Sequence, residues 1–215
     1  MRLAELSERS GISTATIKYY LREGLLPPGR RISTTQAEYD DPHLRRLRLI
    51  RALTQVGRLP VATVREVLSN VDDSSLDQHS RIGSAVWALP HGSQPAPEGQ
   101  DEQDADLTAQ ALLEELGWGY SHAAGSASPA YRMLVRAIAA LRRLGYPAAT
   151  ENLLPYARAA GQVATTDLEL IAGYDDAEEQ IEAAVACTVL YEPVLLSLRR
   201  LAEAEESNRR FGTKS

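Results

Sequence analysis

Cysteine occurs once in this 215-residue chain, at Cys187, and phenylalanine once, at Phe211. A single cysteine excludes an intramolecular disulfide framework and any multi-cysteine metal site within one chain. The four histidines, His43, His79, His91 and His122, show no ligand spacing, so no metal is assigned. No Gly-rich phosphate loop is present, and Ser121-His122 comes with neither an oxyanion motif nor a nucleophile elbow. The chain therefore reads as a non-enzyme without a cofactor. No uncharged apolar run approaches the ~18 residues of a membrane span, the longest being 183–191. The opening "MRLAELSERSG" is too charged for a signal peptide. The expectation is a cytoplasmic protein with no membrane partner.

What is present is unevenly spread. Residues 1–70 hold 12 Lys and Arg against 7 Asp and Glu, whereas residues 71–215 hold 11 against 22. The net charge of −6 thus hides a basic head on an acidic body, and a basic head suits a polyanion.

Helical periodicity dominates. A first helix from Arg2 to Ser10, with Leu3 and Leu6 inward, ends at Gly11; Ser13 caps a second that ends near Gly24. The "SGIS" interval is the glycine-bearing turn of a helix-turn-helix. Residues 27–39 fit two short strands and a turn, a small wing. "DDPHLRRLRLIRALTQVG" is a capped helix with an apolar stripe at Leu44, Leu47, Ile50 and Leu53. Helices over 60–70 (Val64, Val67 and Leu68 inward) and 75–89 follow. Residues 91–105 read as a flexible Pro/Gly/Gln/acid linker. Beyond it come helices at 107–116, from Ser128 and Pro129 onward, at 150–161, at 166–173 with a Thr166/Glu169 capping box, and from Asp175 to about Ser207, kinked or split at Pro193. The fold class is all-α with a small two-stranded β wing. It divides into a winged helix-turn-helix over 1–72, a connecting or dimerising helix over 73–90, the linker, and a helical effector-binding or dimerisation domain over 106–215.

On the second helix, Ile17 and Leu21 face the core, which leaves Ala15, Lys18, Tyr19 and Arg22 together on the exposed face. Two cations and a phenol on such a face suit the backbone and edges of a DNA major groove. The order of "STATIKYYLREGLLPP", an arginine-bearing wing and "EYDDPHLRRLRLIRAL" strongly resembles the MerR family of transcriptional regulators over the first third of the chain. The resemblance implies a winged helix-turn-helix that dimerises through a long helix, and a homodimer acting on promoter DNA with RNA polymerase as a further partner. It places Thr14, Thr16, Lys18, Tyr19 and Tyr20 on the recognition helix. It places Arg30, Arg31 and Tyr39 in the wing, and His43 and Arg46 near phosphates at the start of the third helix. Two departures stand out. Ala15 sits where the family often has a basic residue, so contact there is apolar. The family's Gly-Tyr-Arg-x-Tyr wing run is here Thr35-Gln36-Ala37-Glu38-Tyr39, leaving Arg30 and Arg31 as substitute cations.

Metal-sensing members use paired cysteines, whereas Cys187 stands alone in an apolar run and reads as a buried spacer. The expected signal is then a small organic effector. Trp118, Tyr120, Tyr131, Tyr156 and Tyr191 are its candidate lining, with stripes Tyr131/Leu134/Ile138/Leu141 and Leu153/Tyr156/Ala157/Ala160 walling a bundle. The tyrosines serve equally as core or dimer filler. Two alternatives stay open: an effector-independent repressor or architectural protein, and a ligand- or protein-binding module with a vestigial head.

Overall fold

The computed structural model describes residues 1–33, 36–90 and 99–212. They form two compact units, one of Met1–Ala88 with Ile171–Ser215, the other of Leu89–Leu170. The expected domain spanning 106–215 therefore loses its last helix to the N-terminal unit, for a reason visible in that unit's core.

In the first unit, α1 (Leu3–Ser10) stops at Gly11, whose φ of 66° lies in the left-handed region that favours glycine. The Ser13 hydroxyl accepts from the Thr16 N–H at 3.1 Å and starts α2 (Thr14–Arg22). Gly24, at φ 71°, ends α2 by letting the Leu25 and Leu26 N–H groups return to the Tyr20 carbonyl. Leu6, Ile17, Leu25 and Leu26 are buried; Leu3 and Leu21 are half-buried, at the edge of the core expected for them. The wing pairs β1 (Arg30–Arg31) with β2 (Ala37–Glu38) antiparallel, Arg30 opposite Glu38. Gly29 permits this closure, since a Cβ there would lie 2.7 Å from the Glu38 carbonyl and 2.9 Å from the Tyr39 ring.

Asp40 caps α3 (Asp41–Arg51), which passes into a π-helical turn at Ala52–Val56. Leu44, Leu47, Ile50 and Leu53 are buried as their spacing predicts, and so are Val64, Val67 and Leu68 of α4 (Val61–Val71). α5 (Gln78–Trp87) begins later than the predicted Ser75, because the Asp73 carboxylate accepts from the Ser75 N–H and hydroxyl and holds a turn there.

The chain's final helix, numbered last in chain order as α10 (Ala177–Phe211), supplies Ile181, Ala184, Val185 and Val189 to this core. It comes close at Gly57, where an added Cβ would meet the Leu53 carbonyl at 2.8 Å and Val189 Cγ1 at 2.9 Å. α10 runs unbroken through Pro193 rather than splitting there. By length and composition α10 passes as a membrane-spanning helix, with a mean hydropathy of 1.6 in its most apolar window, although the uncharged run within it is only 183–191, as read from the sequence. Its first half is instead spent on the head.

The second unit holds α6 (Gln100–Glu115), α7 (Gly119–Ala124), a 3-10 turn at Gly125–Ala127, α8 (Pro129–Arg143) and most of α9 (Thr150–Ala172). The predicted linker at 91–105 lies partly outside the described residues, at 91–98. Its remainder from Gln100 is helix, because Asp101 and Glu102 favour a helix N-terminus and Ala105 and Ala109 are buried against α8. Ser128 caps α8 with Pro129 in its first turn, as predicted. The two helices predicted at 150–161 and 166–173 are one. The Thr165 and Thr166 hydroxyls donate to the carbonyls of Gly161 and Gln162 one turn back and do not cap a new helix. The core here is Ala105, Ala109, Leu113, Tyr131, Val135, Ile138, Ala139 and Ala148, with Leu134, Leu141 and Leu153 against it.

Candidate nucleic-acid interface

The exposed face of α2 carries Thr14, Ala15, Lys18 and Arg22, with Thr16, Tyr19 and Tyr20 half-buried beside them. Thr16 spends its hydroxyl on Ser13, 2.8 Å away. The adjacent tyrosines divide their work. Their ring centroids lie 5.9 Å apart, and the Arg22 guanidinium sits 5.4 Å over the Tyr19 ring. Such cation–π contact preorients the arginine on the open side of the helix without neutralising it. Glu23 stands 3.7 Å from Arg22.

The cations of this face differ in availability. Lys18 and Arg31 make no hydrogen bond or ion pair among the described residues, and both are exposed. Arg30 instead pairs with Glu38 across the wing, and its guanidinium holds the Glu38 carboxyl below the usual carboxylate range. Sequence reading missed Arg2, whose guanidinium donates to Gln36 at 2.5 Å and so brings a further cation to the wing. The N-terminus is held there by tertiary contacts, the Tyr39 N–H donating to the Met1 carbonyl at 2.8 Å and the Met1 ammonium to the Tyr39 carbonyl at 2.6 Å.

Three predicted residues are committed elsewhere. Tyr39 is buried, its hydroxyl pushed to a higher pKa by burial, and its ring stacks edge-on against His43 at 5.1 Å. His43 serves the Asp40 cap, its Nδ1 lying 2.5 Å from Asp40 Oδ1, and this bond lowers the Asp40 pKa; Nε2 is buried without a partner. Arg46 is buried too. It pairs with Asp72 and, at 3.3 Å, with Glu182 of α10, while Arg45 reaches Asp176 at 3.5 Å and Glu182 at 3.8 Å. Burial pushes the Glu182 carboxyl above its usual range although both arginines pull it down. Arg81 completes this knot by donating to the Val71 carbonyl at 2.9 Å and to Glu178 at 2.6 Å, which lowers the Glu178 pKa. Arg46 and His43 are therefore parts of the scaffold around α3; their unpartnered atoms, Arg46 Nη1 and His43 Nε2, are buried and present no accessible donor to a phosphate.

The predicted effector lining is dispersed. Tyr131 is buried, its hydroxyl donating to Asp106 at 2.7 Å. Tyr120 and Tyr156 are 67% and 63% exposed, Trp118 lies against Gly161 of α9, and Tyr191 belongs to the exposed half of α10. Among the described residues, no group of three or more His, Cys, Asp or Glu side chains is arranged to hold a metal ion. Cys187 is half-buried on α10.

Residues 1–71 match the family described as MerR HTH family regulatory protein. The chain is 29% identical over 86 residues to the HTH-type transcriptional regulator ZntR homolog of Haemophilus influenzae, covering 40% of this chain and 62% of that protein. It is 31% identical over 93 residues to the HTH-type transcriptional regulator CueR of Bacillus subtilis, covering 43% and 64%. It thus spans less than two thirds of either curated relative. A solved structure, of the candidate transcriptional regulator SCO5550 from Streptomyces coelicolor A3(2), is similar over 100% of both chains at 50% identity and a TM-score of 0.84. These relatives are regulators of transcription, not enzymes.

Proposed function

The chain belongs to the MerR family of transcriptional regulators, and from that we propose that it acts in the cytoplasm as a homodimer on double-stranded promoter DNA. α2 enters the major groove and the wing tracks the backbone. The observation that carries this reading is the pair of exposed cations, Lys18 on α2 and Arg31 on the wing, that have no hydrogen bond or ion pair among the described residues. Thr14, Ala15, Tyr19, Tyr20, Arg22 and Arg30 complete the interface; Tyr39, His43 and Arg46 support it from behind. The test is fluorescence anisotropy on duplexes selected from a random pool by the full-length protein, titrated at several salt concentrations. Equal affinity and salt slope for wild type and the Lys18→Ala/Arg31→Ala double variant would defeat the assignment.

The dimer reading draws on α10. Its buried residues Ile181, Val185 and Val189 recur every four positions along one face. Tyr191, Val194, Leu198 and Leu201 follow three- and four-residue spacing on a different face, exposed by 44 to 64%. The segment from Leu190 to Phe211 is about 33 Å long at 1.5 Å per residue, long enough for a helical pair. Sedimentation of full-length Leu198→Glu/Leu201→Glu should show a predominantly monomeric protein where the wild type is dimeric. Recruitment of RNA polymerase and response to a small organic effector complete the proposal.

A further inference from the structure

An open cleft of about 400 Å³ lies within the second unit, between the start of α6 and the start of α8. α6 contributes Glu102 and Asp106, and α8 contributes Tyr131, Arg132, Val135 and Arg136. Its size falls in the range of small-molecule sites. Charge bookkeeping gives the cleft a chemical preference. Asp106 is already satisfied, accepting from the Tyr131 hydroxyl at 2.7 Å and from Gln110 Nε2 at 2.6 Å. Arg132 Nη1 donates to the Ser126 and Ala127 carbonyls at 2.7 and 3.1 Å, which aims its guanidinium but leaves its charge without a carboxylate. Arg136 and Glu102 make no hydrogen bond or ion pair among the described residues. The same two helices do form a cross pair elsewhere, Arg142 with Asp104 at 2.8 Å. The cleft is where that pairing is left undone, with two cations on one helix and a carboxylate on the other.

We propose that this cleft binds a small zwitterionic organic molecule. Its anionic oxygens lie on Arg132 and Arg136, its ammonium on Glu102, and its apolar body against Tyr131 and Val135. Guanidinium–carboxylate contacts of this kind are charge-assisted and geometrically selective. The lining carries two positive and two negative side chains, so a ligand bearing one charge alone leaves one wall unanswered. The site deepens the effector reading and rests on it only for the claim that occupancy changes DNA affinity.

The experiment is a fluorescence titration of the full-length protein with three dansyl probes: Nε-dansyl-lysine, a zwitterion; N-dansyl-6-aminohexanoate, a carboxylate only; and dansylcadaverine, an ammonium only. The zwitterion should bind saturably and about tenfold more tightly than either singly charged probe. Arg136→Gln and Glu102→Gln should each weaken it about tenfold, with thermal melting unchanged, while Arg143→Gln, on the same helix outside the cleft, leaves it as it was. Absence of saturable binding, equal binding of the three probes, or indifference to Arg136→Gln overturns the site. The selected duplex then separates the two claims. A zwitterion that binds as described but leaves DNA affinity unchanged upholds the cleft and removes its regulatory role.

Discussion

The two units bury different kinds of side chain. In the unit of the helix-turn-helix, Leu6, Ile17, Leu47, Ile50, Leu53, Val64, Val67 and Ile181 are all fully buried branched aliphatics drawn from α1 to α4 and α10. In the other, Ala105, Ala109, Ala139 and Ala148 make half of the core cluster. Alanines let α6 and α8 approach closely but remove little apolar area from water. A large-residue core resists deformation, whereas a thin alanine seam opens at lower cost. The difference fits the proposed division of labour between a DNA-reading unit and a ligand-binding one.

The largest expected effect tests how far the first core depends on its polar knot. Arg46→Ala leaves Glu182 without its nearest guanidinium and should cost about 3–5 kcal/mol in urea unfolding. A change under 1 kcal/mol would mean the knot is ornamental. Next, Leu53→Ala should cost about 2–5 kcal/mol by leaving a cavity among fully buried neighbours. Ala109→Leu in the second unit should cost about 1–3 kcal/mol by forcing α6 from α8. If Ala109→Leu stabilises instead, the seam is underpacked rather than close, and the contrast between the units is drawn wrongly.

A smaller effect appears with pH. Burial and the hydrogen bond to Asp106 push the Tyr131 hydroxyl to about 12, above the ordinary 10.0. A raised folded-state pKa contributes stability that is complete below the ordinary value and is lost as pH rises through the folded value. The second unit should therefore weaken between about pH 10 and pH 12. Hydrogen exchange monitored on α6 and α8 should show this in wild type and less of it in Tyr131→Phe. The smallest effect leaves stability untouched: Lys18→Ala should flatten the log-affinity against log-salt slope by about 0.9, one phosphate contact.

What could be read from sequence was local. Gly11, Ser13, Gly24 and Asp40 act within a few residues of themselves, so the helix-turn-helix and its boundaries were legible, as was the stripe from Leu44 to Leu53. Thr166 misled because a hydroxyl that can cap a helix can also bond back inside one. The role of Arg46 was hidden because its partners, Asp72 and Glu182, lie 26 and 136 positions away. Of the candidate interface, the α2 face was legible from helical periodicity. The burial of Tyr39 and the pairing of Arg30 were not, since both depend on how the wing closes.

The contact between Gly57 and Val189 carries a consequence for how the protein is made. The wall of the DNA-reading unit is completed by a helix that begins at Ala177, so synthesis delivers the reader first and its last structural wall near the end. A nascent chain stalled before Ile181 carries an intact "TIKYYLREGLLPP" on a core with one side open to water. Such a fragment should be digested by protease far faster than the finished chain, and should compete poorly for the same duplex. Folding of the reader is thereby coupled to completion of a helix more than a hundred residues downstream.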